Sequence, residues 1–266
     1  AHPERWLRAI DRFRATISGG PNFAYQLCAS RLDSEKLAGL NLSSWRIAFN
    51  GAEPVSANTI TAFCRRFAPY EFKPEAVLPV YGLAENCVGL CFPPPGRGAR
   101  IETVSRTKLQ LHGIAERIPP EDPDAYASVS CGRPLLGHQL RIIDTEGNEM
   151  PERHVGQLQF QGPSATRGYF DNPQANARLF DGRWLNSGDY AYLADGEVFV
   201  AGRMKDVIIR GGRNIYPQDI EEAVGTLPGV RKGCVCAWAA LDTREGTEKL
   251  VVAAETRLTR EDEKAV

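Results

Sequence analysis

The hydrophobic period changes along this chain, and that change constrains its fold more than any other feature. Up to about residue 95, short apolar runs alternate with helical spacing. Arg46-Ile47-Ala48-Phe49 reads as a short buried strand, and Ser56 as the cap of a helix carrying Ile60, Phe63, Cys64 and Phe67 on one face. Ala76-Val77-Leu78-Pro79-Val80 returns as a strand. A strand–helix–strand unit joins parallel strands, so residues 1–95 are assigned to part of an α/β sheet. From 131 to 201 the period shortens: Gln139–Ile143, a turn over Asp144–Asn148, then Val155–Gln161 and Glu197–Val200. These predict a small antiparallel barrel or sheet. Residues 202–266 form a third unit of α+β type, with a helix over Asp219–Val224 and strands at Cys234–Ala239 and Leu250–Ala254.

Residues 96–130 separate the first two parts. Pro93-Pro94-Pro95-Gly96-Arg97-Gly98 opens the segment and Pro119-Pro120-Glu121-Asp122-Pro123 nearly closes it, bracketing one short ordered stretch from Ile101 to Ile118. This composition predicts loops or a surface insertion rather than core.

Charge excludes some partners. The 33 acidic and 32 basic residues nearly cancel, which gives no electrostatic footprint for nucleic acid or an anionic membrane. No apolar run approaches the ~20 residues that span a bilayer, and no basic-then-apolar leader is visible, so a cytoplasmic protein without stable membrane insertion is expected. Cys87 and Cys91, and Cys234 and Cys236, have no second pair or clustered histidines to complete a zinc site. They read as structural thiols, with Gly233–Trp238 as a buried strand.

Three blocks carry chemistry. In Asn50-Gly51-Ala52-Glu53-Pro54, small residues follow a buried strand. At the carboxyl end of a parallel strand this is where open α/β sheets admit ligands, although the same residues also make an ordinary strand-to-helix turn. Val80-Tyr81-Gly82-Leu83-Ala84-Glu85 offers an aromatic face and a carboxylate at another strand end, where Tyr81 could equally pack in the core. Leu185-Asn186-Ser187-Gly188-Asp189 places an aspartate on a tight turn, and its two acceptor oxygens suit adjacent ribose hydroxyls.

Together with Gly202-Arg203-Met204-Lys205-Asp206 and its continuation through Glu221, these blocks resemble the adenylate-forming superfamily. Ser18–Tyr25, Phe49–Val55 and Tyr81–Glu85 lean toward its fatty acyl-AMP ligase branch. The resemblance implies part of a large N-terminal domain, sheet plus barrel, followed by the start of a small mobile C-terminal domain. It implies adenine-loop contacts from Gly51, Ala52 and Glu53, and stacking of Tyr81 on adenine, with Gly82 and Ala84 beside it. Glu85 would be a catalytic magnesium ligand, which is consistent with magnesium's preference for a few carboxylates plus phosphate oxygens. Asp189 would hold ribose, Arg203 ribose or phosphate in a catalytic role, and Lys205 the hinge. Gly211-Gly212 would form a tight turn near the site. Ala84 and Ser187 stand where threonine is commoner.

The implied cofactors are ATP and Mg2+. The implied reaction activates a fatty acid as acyl-adenylate, releases pyrophosphate and passes the acyl group to an acyl carrier protein, as in polyketide or lipopeptide assembly. Phe23 and Tyr25 are candidates for an acyl tunnel or for core packing, and residues 97–130 are placed at the branch's insertion. A Ser/Thr/Gly-rich phosphate loop and a Pro-Lys…Gly-Lys lysine occur nowhere in the sequence, so a fragment of a longer enzyme, inactive alone, is expected. The rival readings are a fatty acyl-CoA ligase and a non-catalytic nucleotide-binding or docking module.

Overall fold

The strand–helix–strand unit belongs to a three-stranded parallel sheet in the computed structural model, which describes residues 2–210, 212–242 and 247–256. Helix α1 (Glu4–Phe13), strand β1 (Ile17–Gly20) and helix α2 (Asn22–Arg31) precede β2 (Ile47–Asn50), α3 (Ala57–Phe67) and β3 (Val77–Pro79). The order is β1-β2-β3, parallel throughout. Ser56 caps α3 as expected, its Oγ accepting the Thr59 N–H at 3.3 Å. The helix buries Ile60, Phe63 and Phe67, whereas Cys64 is only half-buried. These side chains meet Trp6, Tyr25 and Trp45 in a cluster of edge-to-face rings, with Trp6–Tyr25 centroids 5.2 Å apart and Tyr25–Phe63 5.0 Å. Tyr25 is therefore core: it is 2% exposed and its hydroxyl donates to the Phe49 carbonyl at 2.8 Å, while Phe23 is 53% exposed.

Strand β4 (Cys91–Phe92) leads into the segment assigned to loops, which is more ordered than its composition suggests. Strand β5 (Ile101–Ser105), helix α4 (Arg106–His112) and strand β6 (Ala125–Val129) fold back so that β5 and β6 pair antiparallel from Ile101↔Val129 to Ser105↔Ala125. Order thus extends well past Ile118. Ser105 caps α4 by accepting the Lys108 N–H at 3.1 Å. Val104, Leu109 and Ala115 are buried with Tyr192, Ala194 and Phe199. Of the prolines that suggested loops, Pro93–Pro95 precede the unit and Pro119, Pro120 and Pro123 lie in the connection between α4 and β6.

Glu102 of β5 is buried and meets Arg100, Arg117 and Arg153. Burial works against its ionisation, but hydrogen bonds from the three guanidiniums leave its pKa below the usual carboxylate value. Glu197, equally buried, is held low in the same way by Arg97 and Ser130.

After β7 (Arg133–Pro134), which pairs with β4, come β8 (Gln139–Ile143), β9 (Gly156–Gln161), α5 (Pro173–Leu179), β10 (Phe180–Asp181), β11 (Trp184–Ala194) and β12 (Glu197–Arg203). They make the expected antiparallel sheet, ordered β10-β11-β9-β8 with β12 also on β11. Ile142, Leu158, Phe160, Leu185 and Val198 fill its core.

Strands β13 (Ile208–Arg210) and β14 (Arg213–Ile215) form a hairpin; Gly211 lies outside the described residues. Helix α6 (Pro217–Val224) and the hairpin of β15 (Val230–Asp242) and β16 (Thr247–Thr256) follow. The Gly233–Trp238 strand is present but not buried, since Cys236 is exposed and Trp238 is 42% exposed. A two-stranded hairpin with one helix against it covers only one face. On that covered face Ala237 is buried and its N–H donates to Glu221 Oε1 at 3.0 Å. Helix α6 also docks on the preceding parts: Ser56 Oγ and Asn58 Nδ2 each donate to Glu222 Oε1 at 2.9 Å, and Tyr126 hydrogen-bonds Asp219. Among the described residues no helix is long and apolar enough to cross a membrane.

Candidate active site

The chemistry-bearing residues converge where the carboxyl end of the parallel sheet meets the barrel. After β3, Val80 continues the pairing by donating its N–H to the Asn50 carbonyl at 2.8 Å. Tyr81 then bridges to Cys91, its N–H donating to the Cys91 carbonyl at 3.1 Å and its carbonyl accepting the Cys91 N–H at 2.9 Å. This fixes the Tyr81 backbone between sheet and barrel. Its hydroxyl donates to Asp189 Oδ2 at 2.5 Å. Burial raises the tyrosine pKa well above its ordinary value, and the neighbouring Asp189 charge adds to the rise.

Asp189 does not sit on a turn between elements, as its Ser-Gly-Asp spelling suggests, but inside strand β11. The pairing of β11 with β9 slips between Asn186 and Tyr190, and Gly188 within the slip has φ +80°. Ser187 holds this bulge: its Oγ donates to the Leu158 carbonyl at 2.8 Å and accepts the Asp189 N–H at 3.1 Å. A bulge re-aims a side chain that regular pleating would place elsewhere. The turn-like sequence is the local signature of the bulge, which is why it reads as a turn. Arg203 of β12 lies opposite Asp189 in register. Burial raises the Asp189 pKa; the Tyr81 hydrogen bond and the Arg203 charge oppose that rise, and Glu85 adds to it.

Glu85 lies in a 3-10 turn, Ala84–Asn86. The turn folds back tightly: Cys87 and Val88 have φ of +49° and +77°, and a Cβ on Gly82 would come within 1.6 Å of the Val88 carbonyl oxygen. Glycine at 82 is thus required by the backbone itself. Asn86, fully buried, spans the turn by donating to the Gly89 carbonyl at 2.7 Å. The loop between β9 and α5 grips Glu85 from the other side, since the Thr166 N–H donates to the Glu85 carbonyl at 2.7 Å and the Tyr169 hydroxyl donates to Glu85 Oε1.

The remaining candidates are more peripheral. At Gly51 the volume a Cβ would need is taken by Val80, whose Cγ2 would lie 2.7 Å away. Ala52 is exposed with φ +67°, and Glu53 Oε1 accepts the Phe23 N–H at 2.5 Å. Ala84 is exposed. Lys205 is exposed in the turn joining β12 to β13, a turn held by the Arg203 carbonyl, which accepts the Asp206 and Val207 N–H groups at 3.1 and 3.2 Å.

The structure therefore brings Tyr81, Glu85, Asp189 and Arg203 together, with Gly51 one residue behind through Val80. It leaves Glu53 on Phe23 and Lys205 on the surface. Sequence reasoning missed Tyr169. The spelling Thr166-Arg167-Gly168-Tyr169-Phe170, with two aromatics outside any apolar period, was the available signal.

The donor set fits a metal that arrives on phosphate. Among the described residues no group of three or more His, Cys, Asp or Glu side chains could hold an ion alone, and Glu85 supplies one half-buried carboxylate. Asp189, with Oδ2 engaged by Tyr81, presents Oδ1 as a second acceptor oxygen.

Comparison with known proteins gives the family and the fold. Residues 1–170 match the family described as AMP-binding enzyme. The chain is 38% identical over 265 residues to the medium-chain-fatty-acid–[acyl-carrier-protein] ligase JamA of Moorena producens, covering 95% of this chain and 44% of that protein. It is 33% identical over 262 residues to the long-chain-fatty-acid–AMP ligase FadD32 of Mycolicibacterium smegmatis, covering 89% of this chain and 41% of that protein. A solved structure from a study of fatty acyl-adenylate ligases of E. coli and L. pneumophila superposes with a TM-score of 0.91 at 35% identity, over 99% of this chain and 47% of that one. The chain spans less than half the length of these relatives.

Proposed function

The chain belongs to the AMP-binding enzymes, with the fatty acyl-adenylate ligase fold, and we propose that it forms one wall of a site that activates a fatty acid with ATP. A fatty carboxylate oxygen attacks the α-phosphorus, an acyl-adenylate forms and pyrophosphate leaves. The acyl group then passes to the phosphopantetheine thiol of an acyl carrier protein. One observation carries this reading: Tyr81 and Asp189, from different subdomains and 108 positions apart, meet at 2.5 Å with Arg203 opposite Asp189.

In this reading the Tyr81 ring offers its face to adenine, with Gly51, Ala52, Gly82 and Ala84 beside it. Asp189 accepts from ribose, and Arg203 balances charge on ribose or phosphate. Glu85 contributes one oxygen to Mg2+, whose chemistry is to neutralise phosphate charge as it develops. Lys205, in the exposed turn after β12, is where the C-terminal unit would swing. A cytoplasmic enzyme fits this substrate set.

The test uses the full product of the gene with ATP, Mg2+ and a panel of fatty acids. Mass spectrometry should detect acyl-AMP, and an acyl carrier protein should then take the acyl group in preference to CoA. Efficient acyl-CoA formation would favour a fatty acyl-CoA ligase. Absence of acyl-AMP with every acid would favour a non-catalytic nucleotide-binding module.

A further inference from the structure

We propose that Tyr169 is a positioning residue for Glu85, an inference that rests on the metal-binding reading of Glu85. Tyr169 is 41% exposed, so core packing does not explain its placement. Its polar end is nevertheless committed, because the hydroxyl donates to Glu85 Oε1 across 84 positions of sequence. That bond also pushes the Tyr169 pKa up to about 12.

The loop carrying Tyr169 is organised in advance. Asn176 of α5 clamps it reciprocally, with Oδ1 accepting the Tyr169 N–H at 2.6 Å and Nδ2 donating to the Tyr169 carbonyl at 2.9 Å. Gly168, at φ +123°, lies so near Asn176 that an added Cβ would come within 2.8 Å of its Oδ1. Thr166 supports the same bend, its Oγ1 accepting the Gly168 N–H at 3.2 Å, while its own N–H donates to the Glu85 carbonyl at 2.7 Å. The loop thus reaches Glu85 twice, through backbone and through carboxylate.

The chemical consequence concerns the two carboxylate oxygens. A half-buried glutamate on a single 3-10 turn has freedom about its terminal torsion. Engaging Oε1 with a phenol fixes the carboxylate plane and leaves Oε2 for a hard cation. Partners that orient a metal ligand commonly matter 10- to 100-fold in metal affinity.

The experiment uses the full gene product and its Tyr169→Phe, Glu85→Gln and double variants. Binding of Mn2+·ATP, and of ATP in excess chelator, is measured by calorimetry for each. Tyr169→Phe should weaken Mn2+·ATP binding by about 10-fold, leave metal-free ATP binding unchanged, and leave the melting temperature at wild type. The double variant should bind Mn2+·ATP no worse than Glu85→Gln alone. If Glu85→Gln loses Mn2+·ATP affinity while Tyr169→Phe does not, or if Tyr169→Phe weakens both forms of ATP equally, the positioning role is overturned and the Glu85 reading stands. Wild-type Mn2+·ATP binding by Glu85→Gln would instead remove Glu85 from the metal, and this proposal with it.

Discussion

The Tyr81–Asp189 hydrogen bond ties two candidate binding groups into one titrating unit. In the proposed role Asp189 accepts from ribose hydroxyls more strongly as the carboxylate than as the protonated acid. Burial raises its pKa, so ATP affinity should fall on acidification at a higher pH than an ordinary aspartate would allow. The Tyr81 hydroxyl opposes that rise by donating to the carboxylate. Tyr81→Phe keeps the ring for stacking but removes the donor, so the acid limb of ATP binding should move further upward in pH. ATP affinity titrated against pH for the two proteins checks this, and superimposable limbs would separate the two residues. Tyr81 and Asp189 stood out in the sequence as candidates, whereas their contact did not, because no local pattern encodes a pairing between subdomains. Tyr169 left only its spelling as a signal, because what it touches is set by where its hydroxyl reaches in the fold.

Strand β5 shows how a short element escapes sequence reading. Glu102 and Val104 of this strand are buried, Ile101 is exposed and Thr103 half-buried, and Ser105 at its end is buried as well. A glutamate on the inward face breaks the apolar alternation on which strand assignment depends. The burial is possible because Arg100, Arg117 and Arg153 converge on it. Glu102→Gln removes one of the two carboxylates those guanidiniums share, Asp195 remaining against all three, so the substitution should cost about 1–3 kcal/mol. Chemical denaturation of the two proteins checks this. The native pKa of Glu102 is depressed, so its contribution is present above the unfolded carboxylate value and is lost as pH falls through the native one. Stability of the wild type should therefore drop in acid more steeply than that of Glu102→Gln. The α3 segment, by contrast, was readable almost to the residue, since its cap, its apolar face and both flanking strands agree locally.

For the whole molecule, the C-terminal unit is docked through the first turns of α6. Asp219 faces Tyr126 and Arg106 of the β5–β6 unit, and Glu222 faces Ser56 and Asn58. Burial pushes Asp219 up to about 6, with Glu222 adding to the rise and Arg106 and Tyr126 opposing it. The docked pKa exceeds the free value, so docking gains stability as pH falls from about 6 toward the ordinary aspartate range, and loses it as pH rises through about 6. Limited proteolysis in the turn around Lys205 should accordingly be faster at pH 7.5 than at pH 5.5. Asp219→Asn, which cannot ionise, should flatten that difference. The architecture of sheet, barrel and terminal α+β unit was legible from the changing hydrophobic period; how the units dock was not.

In the proposed function Asp189 and Glu85 serve one nucleotide site in different ways. Fatty-acid-dependent exchange of labelled pyrophosphate into ATP tests it most directly, measured in the full gene product for wild type, Asp189→Ala and Glu85→Ala. Asp189 contacts the nucleotide in ground and transition states alike, so its loss should raise the KM for ATP by about 10-fold or more with kcat little changed. In the proposed role Glu85 holds the metal in the ground state and gains further as charge develops, so its loss should lower kcat by about 100-fold and raise the KM for ATP by about 10-fold. Wild-type exchange kinetics in both variants, or no exchange by the wild type with any fatty acid, would remove both residues from a fatty-acid-activating site.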